Sequence, residues 1–169
     1  MLSFPETAGL RPTLGRTRET VFNWLRPELA GADCLDLFAG SGALGFEAAS
    51  NGAHSVTFVE SSRAAATALS ANIQQLNAKN CHVVNNRAER FLETAADPFD
   101  IIFLDPPYQQ PELLDYALSV LSTRALIGGY VYLEGSSEKI LLELCARFRL
   151  SAHKTTSAGT TSSILATPG

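Results

Sequence analysis

Short apolar runs alternate with amphipathic stretches along most of the chain. Cys34–Phe38, Ser55–Glu60, His82–Asn85, Phe99–Leu104 and Tyr130–Glu134 are brief, rich in apolar side chains and bounded by polar or turn residues, a pattern that predicts strands. Between them, Gly40–Ser50 reads as a glycine loop running into a helix. Ala64–Leu76, Glu89–Thr94, Glu112–Leu121 and Glu138–Phe148 read as further helices. Ahead of the first strand, Arg16–Leu25 predicts a helix with Val21, Trp24 and Leu25 on its apolar face. Thr13 or Thr17 is its candidate cap and Pro27 its stop. The end of the chain breaks the alternation: Arg149–Lys154 and Ser162–Ala166 are two strands joined by a Thr/Ser/Gly turn with no helix between them.

Strands that alternate with helices build a parallel sheet covered on both faces. Two consecutive strands joined by a turn pair antiparallel. The expected architecture is therefore α/β: an open, mostly parallel, seven-stranded sheet with helices on both faces and an antiparallel C-terminal hairpin. That is the Rossmann-like pattern of class I methyltransferases. A length of 169 residues suits one domain with one sizeable core, with residues 1–27 as an N-terminal segment and helix and 32–169 as the Rossmann-like core.

Composition changes this picture little. At 46% hydrophobic and 18% charged, the chain is an ordinary globular one. No apolar run is long enough to span a bilayer, and Met1–Glu6 has neither the basic start nor the apolar stretch of a secretory signal, so a cytoplasmic location is expected. Cys34, Cys81 and Cys145 are scattered and odd in number, which argues for small buried hydrophobes rather than disulfides or a zinc site. Charge matters more. A formal net charge of -4 argues against an extended nucleic-acid groove, but Arg11, Arg16, Arg18 and Arg26 cluster near the N-terminus as a candidate local RNA-binding patch.

Two motifs carry chemistry. The first, Asp36-Leu37-Phe38-Ala39-Gly40-Ser41-Gly42-Ala43-Leu44-Gly45, places G-x-G-x-x-G between a strand and a helix, where glycine lets the backbone turn sharply and approach a ligand. Glu60 ends the next strand, where a carboxylate can accept from both hydroxyls of a ribose. An NAD-binding unit shares these features. Asp36 separates the two cases: a carboxylate beside the loop would repel a pyrophosphate, but it suits S-adenosylmethionine, whose sulfonium and amino groups are cationic.

The second motif, Asp105-Pro106-Pro107-Tyr108, follows the strand Ile101-Ile102-Phe103-Leu104, so it should stand beside the glycine loop at the carboxyl edge of the sheet. An exocyclic amine on a base is a poor nucleophile because its lone pair is delocalised into the ring. Asp105 and the Pro106 carbonyl can accept from the amine hydrogens, drawing nitrogen toward tetrahedral geometry. The two prolines fix the acceptors in advance. Tyr108 offers a flat face to an extruded base. Such a displacement calls for no metal. His54, His82 and His153 are isolated in sequence and form no rival catalytic set.

Arg11-Pro12-Thr13, the run Arg16-Thr17-Arg18-Glu19-Thr20-Val21-Phe22-Asn23-Trp24-Leu25, the glycine loop from Asp36 and the LDPPY segment from Leu104 together resemble the bacterial 16S rRNA guanine-N2 methyltransferases of the RsmD type over nearly the whole chain. The resemblance implies methylation of a guanine N2 in 16S rRNA, in the small ribosomal subunit or its assembly intermediates, with no obligate protein partner. It implies cofactor contacts at Asp36, Phe38, Ala39, Gly40, Gly42, Glu60, Ser61, Arg87, Ala88 and Asp105, with Ala88 at the adenine, and chemistry at Asp105, Pro106, Pro107 and Tyr108. It also implies that the N-terminal helix helps close the site.

Two departures stand out. The family usually has a basic β-hairpin ahead of the Arg-Pro-Thr segment, where this sequence has only about ten residues. It usually has Asn or Asp at the position of Arg87, which cannot accept a hydrogen bond, so the adenine contact must come from backbone, water or another side chain. With few phosphate contacts, assembled particles that already expose the base are the expected substrate rather than naked rRNA. Other amino-methyltransferases, acting on adenine N6 or a protein glutamine, remain alternatives. So do an NAD-dependent oxidoreductase and a binding module without turnover.

Overall fold

The computed structural model describes residues 12–169, with side chains from Thr17 onward. Helix α1 (Pro12–Leu29) leads into β1 (Asp33–Asp36), α2 (Ala43–Ser50), β2 (Ser55–Glu60), α3 (Arg63–Leu76), β3 (Cys81–Asn85) and α4 (Ala88–Thr94). Then follow β4 (Phe99–Leu104), α5 (Glu112–Thr123), β5 (Ile127–Gly135), α6 (Glu138–Arg147), β6 (Leu150–Ala158) and β7 (Thr161–Pro168). The strands form one seven-stranded sheet in the order β3-β2-β1-β4-β5-β7-β6. The first five are parallel, and β7 runs antiparallel between β5 and β6. This is the expected class I methyltransferase architecture.

Alternation along each strand sorts the core into two layers. On β4, Ile101 and Phe103 pack with Val21, Phe22, Leu25 and Phe46, the side of α1 and α2. Ile102 and Leu104 point the other way, against Leu92, Leu114, Leu118 and Leu141 of α4, α5 and α6. Phe22 stacks at 5.7 Å on Phe103, tying α1 to the central strand. Cys34, Cys81 and Cys145 are free and buried, and burial pushes the Cys34 thiol up to about 12.

Two local expectations fail, both in α1. The helix does not stop at Pro27 but runs through it to Leu29. Proline denies a hydrogen bond to the carbonyl four residues back, that of Asn23. Both residues lie on the exposed side of the helix, so water can take that carbonyl, while Leu25 and Leu29 are buried and reward the extra turn. Neither Thr13 nor Thr17 is a cap, because the helix begins at Pro12 rather than Arg16 and both lie inside it; the Thr17 side chain is buried. Helix starts are better marked elsewhere. Ser62 Oγ accepts from the Ala65 amide at 3.3 Å, and Ser137 Oγ from that of Ile140 at the same distance.

Strand order reverses between β1, which leads outward through β2 to β3, and β4, which leads through β5 to the hairpin. At such a switch point the connections leave in opposite directions and a crevice opens at the carboxyl ends of the strands.

Candidate active site

A cleft of about 860 Å³ opens at that crevice. Five strand ends and α1 build it. The tip of β1 supplies Asp36, with Phe38, Ala39 and Gly40 in the loop beyond; the tip of β2 supplies Glu60, with Ser61 after it. The segment after β3 adds Asn86, Arg87 and Ala88, and the segment after β4 adds Asp105, Pro106, Pro107 and Tyr108. The structure thus brings both motifs into one cavity.

The three motif glycines do different things. Gly40 has φ 55°, in the left-handed region, and a Cβ there would project into open space on the cleft side. Gly42 does not line the cleft. It is buried behind the loop with φ 83°, where a Cβ would lie 2.5 Å from Leu69 and 2.8 Å from Phe46. At Gly45 a Cβ would meet the Phe58 ring at 2.3 Å, so this glycine lets α2 press onto β2. Only the first glycine is free to face a ligand.

Asp36 is buried, and its Oδ2 accepts from the Gly45 amide at 3.1 Å, which ties the strand tip to α2. Burial pushes its carboxyl up to about 7, the Gly45 bond opposes that, and the charges of Asp105 and Glu60 add to it. A buried carboxyl made uncomfortable by two others is a site that gains from a cation. Glu60 is half-buried. Desolvation raises its carboxyl, and hydrogen bonds from the amides of Ser62 and Ser61 pull it back. Asn85 Nδ2 donates to the carbonyls of Glu60 and Ser61, at 2.9 and 3.3 Å, and fixes this strand end. Arg87 turns its guanidinium out, 3.0 Å from Glu89. Its neighbour Asn86 lines the cleft and has an oxygen that can accept; that oxygen already takes the Arg87 amide at 2.9 Å.

Asp105 opens onto the cleft but is closely surrounded by protein on its other sides. Desolvation raises its carboxyl, while a hydrogen bond with Glu134 and the charge of Arg18 lower it. Tyr108 is 64% exposed, so its ring is available as a platform. Its hydroxyl shares a 2.6 Å hydrogen bond with Thr161 Oγ1, at the start of β7.

Of the four N-terminal arginines, Arg11 lies outside the described residues, as does the side chain of Arg16. Arg26 is exposed in the last turn of α1 and does not line the cleft. Arg18, expected to face RNA, lines the cleft, near enough to Asp105, Glu134 and Tyr132 for its charge to act on all three. Several cleft residues carry no motif: Thr17, Asn86, Tyr132, Glu134 and the hairpin turn from Ala158 to Thr161. Glu134 had a signal. It is an acid near the carboxyl end of β5, as Glu60 is of β2. The hairpin turn had none, because only the antiparallel return of β7 beside β5 brings it over Tyr108.

The chain matches the model of the family described as Conserved hypothetical protein 95 over residues 1–165. It is 41% identical over 155 residues to ribosomal RNA small subunit methyltransferase D of Escherichia coli (strain K12), covering 90% of this chain and 78% of that protein. It is 40% identical over 140 residues to the Haemophilus influenzae protein of the same name, covering 79% and 72%. Among solved structures, Escherichia coli yhhF superposes with a TM-score of 0.87 at 37% identity, covering 99% of this chain and 90% of that one. Magnesium protoporphyrin IX methyltransferase from Synechocystis PCC 6803, solved with bound SAM, superposes with a TM-score of 0.80 at 18% identity, covering 99% and 87%, a likeness of fold.

Proposed function

This chain belongs to the Conserved hypothetical protein 95 family, that of the RsmD-type ribosomal RNA methyltransferases, and from that premise we propose that it methylates the exocyclic N2 of a guanine in 16S rRNA of the small ribosomal subunit. The observation that carries this reading is the meeting of Asp105 with Asp36, Glu60 and the Gly40 turn in one cleft. S-adenosylmethionine, when bound, supplies an electrophilic methyl group on a sulfonium.

The residues present fit that cofactor. Asp36 and Glu60 place two carboxyls where a cationic, ribose-bearing ligand would lie, while the two arginines of the cleft are engaged elsewhere, Arg87 with Glu89 and Arg18 near Asp105 and Glu134. Gly40 leaves room beside the loop for close approach. Asn86 answers the departure at Arg87, since its amide oxygen can accept from an adenine amino group. After β4, Asp105 and the Pro106 carbonyl accept from the amine of the target base, and the prolines hold that pair of acceptors still. Tyr108 stacks on the base once it leaves its helix.

The deciding experiment is mass spectrometry of rRNA nucleosides from cells with and without the gene. Loss of N2-methylguanosine at one 16S position is expected. An unchanged level refutes the proposal.

The Tyr108 platform makes its own prediction. Tyr108→Ala removes a base-stacking contact worth about 1–3 kcal/mol. Tyr108→Phe keeps the ring and loses only the hydrogen bond with Thr161, worth about 1 kcal/mol. Single-turnover efficiency should fall in the order wild type, Phe, Ala. If Phe is as damaging as Ala, the tie to Thr161 matters and the stacking does not.

A further inference from the structure

Leu104 and Leu133 are register partners on the neighbouring parallel strands β4 and β5, so the next residues, Asp105 and Glu134, stand side by side at the carboxyl edge. Both line the cleft, close enough for each carboxyl to act on the other. Two carboxylates side by side repel, and a single proton between them turns that repulsion into a hydrogen bond. Resting on the reading of Asp105 given above, we propose that Glu134 is the partner that completes the catalytic acceptor: it holds the one shared proton, donates it to Asp105, and so keeps Asp105 ionised with an oxygen turned to the substrate amine.

The surroundings decide which carboxyl keeps the proton. Arg18 from α1 favours charge on both, and Tyr132 on β5 also faces the pair from beneath. Ser163 on β7 is the register partner of Glu134, but its hydroxyl is engaged with that of Tyr132 at 3.0 Å. Glu134 is less exposed to solvent than Asp105, which opens onto the cleft. Desolvation, the Asp105 charge and the Asp105 hydrogen bond together push the Glu134 carboxyl up to about 9, against the pull of Arg18. The acid less open to solvent keeps the proton and the one facing substrate keeps the charge, as in paired carboxylates elsewhere.

The arrangement also closes the proton balance. The N2 lone pair forms the new bond to the methyl carbon, and the carbon–sulfur bond breaks with its electron pair staying on sulfur. Nitrogen is left with one proton too many. Asp105, already within reach of an amine hydrogen, takes it. The pair then carries two protons and returns to one by release to cleft water.

Two measurements test this. In free wild-type protein labelled with carbon-13 at the glutamate side-chain carboxyl, one resonance should titrate well above neutrality. It should be missing in Glu134→Gln and shifted down in Asp105→Asn. This needs no substrate, so it is independent of what the enzyme methylates. The second is single-turnover methyl transfer across about pH 7 to 10. Glu134→Gln keeps a donor to Asp105 and should stay within a few-fold of wild type near neutrality, whereas Glu134→Ala should slow the step by at least about tenfold with little change in cofactor affinity. Above the Glu134 titration the wild-type pair becomes two repelling anions and Asp105 loses its donor. The ratio of wild-type to Glu134→Gln rates should therefore fall, while titration of the guanine itself cancels in the ratio. No glutamate titrating above neutrality, a flat ratio, or a fully active Glu134→Ala would each overturn the proposal. A wild-type enzyme that methylates no guanine, with the glutamate still titrating high, would instead overturn the proposed function alone.

Discussion

Asp105→Ala is expected to bind S-adenosylmethionine as the wild type does and to transfer methyl about 10²–10³-fold more slowly, the usual cost of removing a preorganised electrostatic group. The two halves of that expectation come from different parts of the cleft. Cofactor recognition is assigned to the tips of β1 and β2, at Asp36 and Glu60, whereas Asp105 follows β4, the strand next to β1, and is assigned to the substrate amine. Alanine removes the oxygen that would accept from the substrate amine and leaves Glu134 without its carboxyl partner. The Pro106 carbonyl remains, which is why residual activity is expected. Calorimetry with the cofactor and single-turnover transfer to unmodified small-subunit RNA separate the two quantities. An unchanged single-turnover rate would remove Asp105 from the chemistry.

Glu60→Ala should do the reverse. A carboxylate that accepts from two ribose hydroxyls makes two charge-assisted hydrogen bonds, each worth roughly 1.5–3 kcal/mol. Allowing for solvent compensation, the loss is about 2–4 kcal/mol, a rise in Kd of roughly thirtyfold to several hundredfold. Asn85 braces the strand end that carries Glu60 by donating to the Glu60 and Ser61 carbonyls. At saturating cofactor the rate should recover. A change in Kd below twofold would mean that the carboxylate serves the loop after β2 and not a ligand.

Much of this molecule was legible before any coordinates. Each strand of the parallel sheet was a short apolar run ending in a turn residue, and its bounds moved by only a few residues on folding, because burial on both faces leaves such a run few other conformations. Asp36, Gly40, Glu60 and Asp105 could be placed at strand ends by counting. In an open α/β sheet strand ends meet at one edge, so counting was enough to bring them together. The sequence also determined that the last two strands pair as a hairpin, since no helix separates them.

What only the tertiary structure decided depends on distances between chain segments that no local pattern encodes. Pro27 is a helix stop by local chemistry, but burial of Leu29 two residues on carried the helix past it. Gly42 belongs to the same motif as Gly40, yet Leu69 and Phe46 pack against it and it does not line the cleft. Arg18 read as one arginine in a basic patch, and the docking of α1 against β4 put it over the carboxyls of the cleft. Glu134 reaches the site because β5 pairs in register beside β4, and Thr161 because β7 returns antiparallel along β5. The alternation of apolar and polar residues specifies which face of an element is buried. Which buried face meets which depends on how helices and strands from distant parts of the chain fill a common volume, and that choice set the electrostatic partners of Asp105.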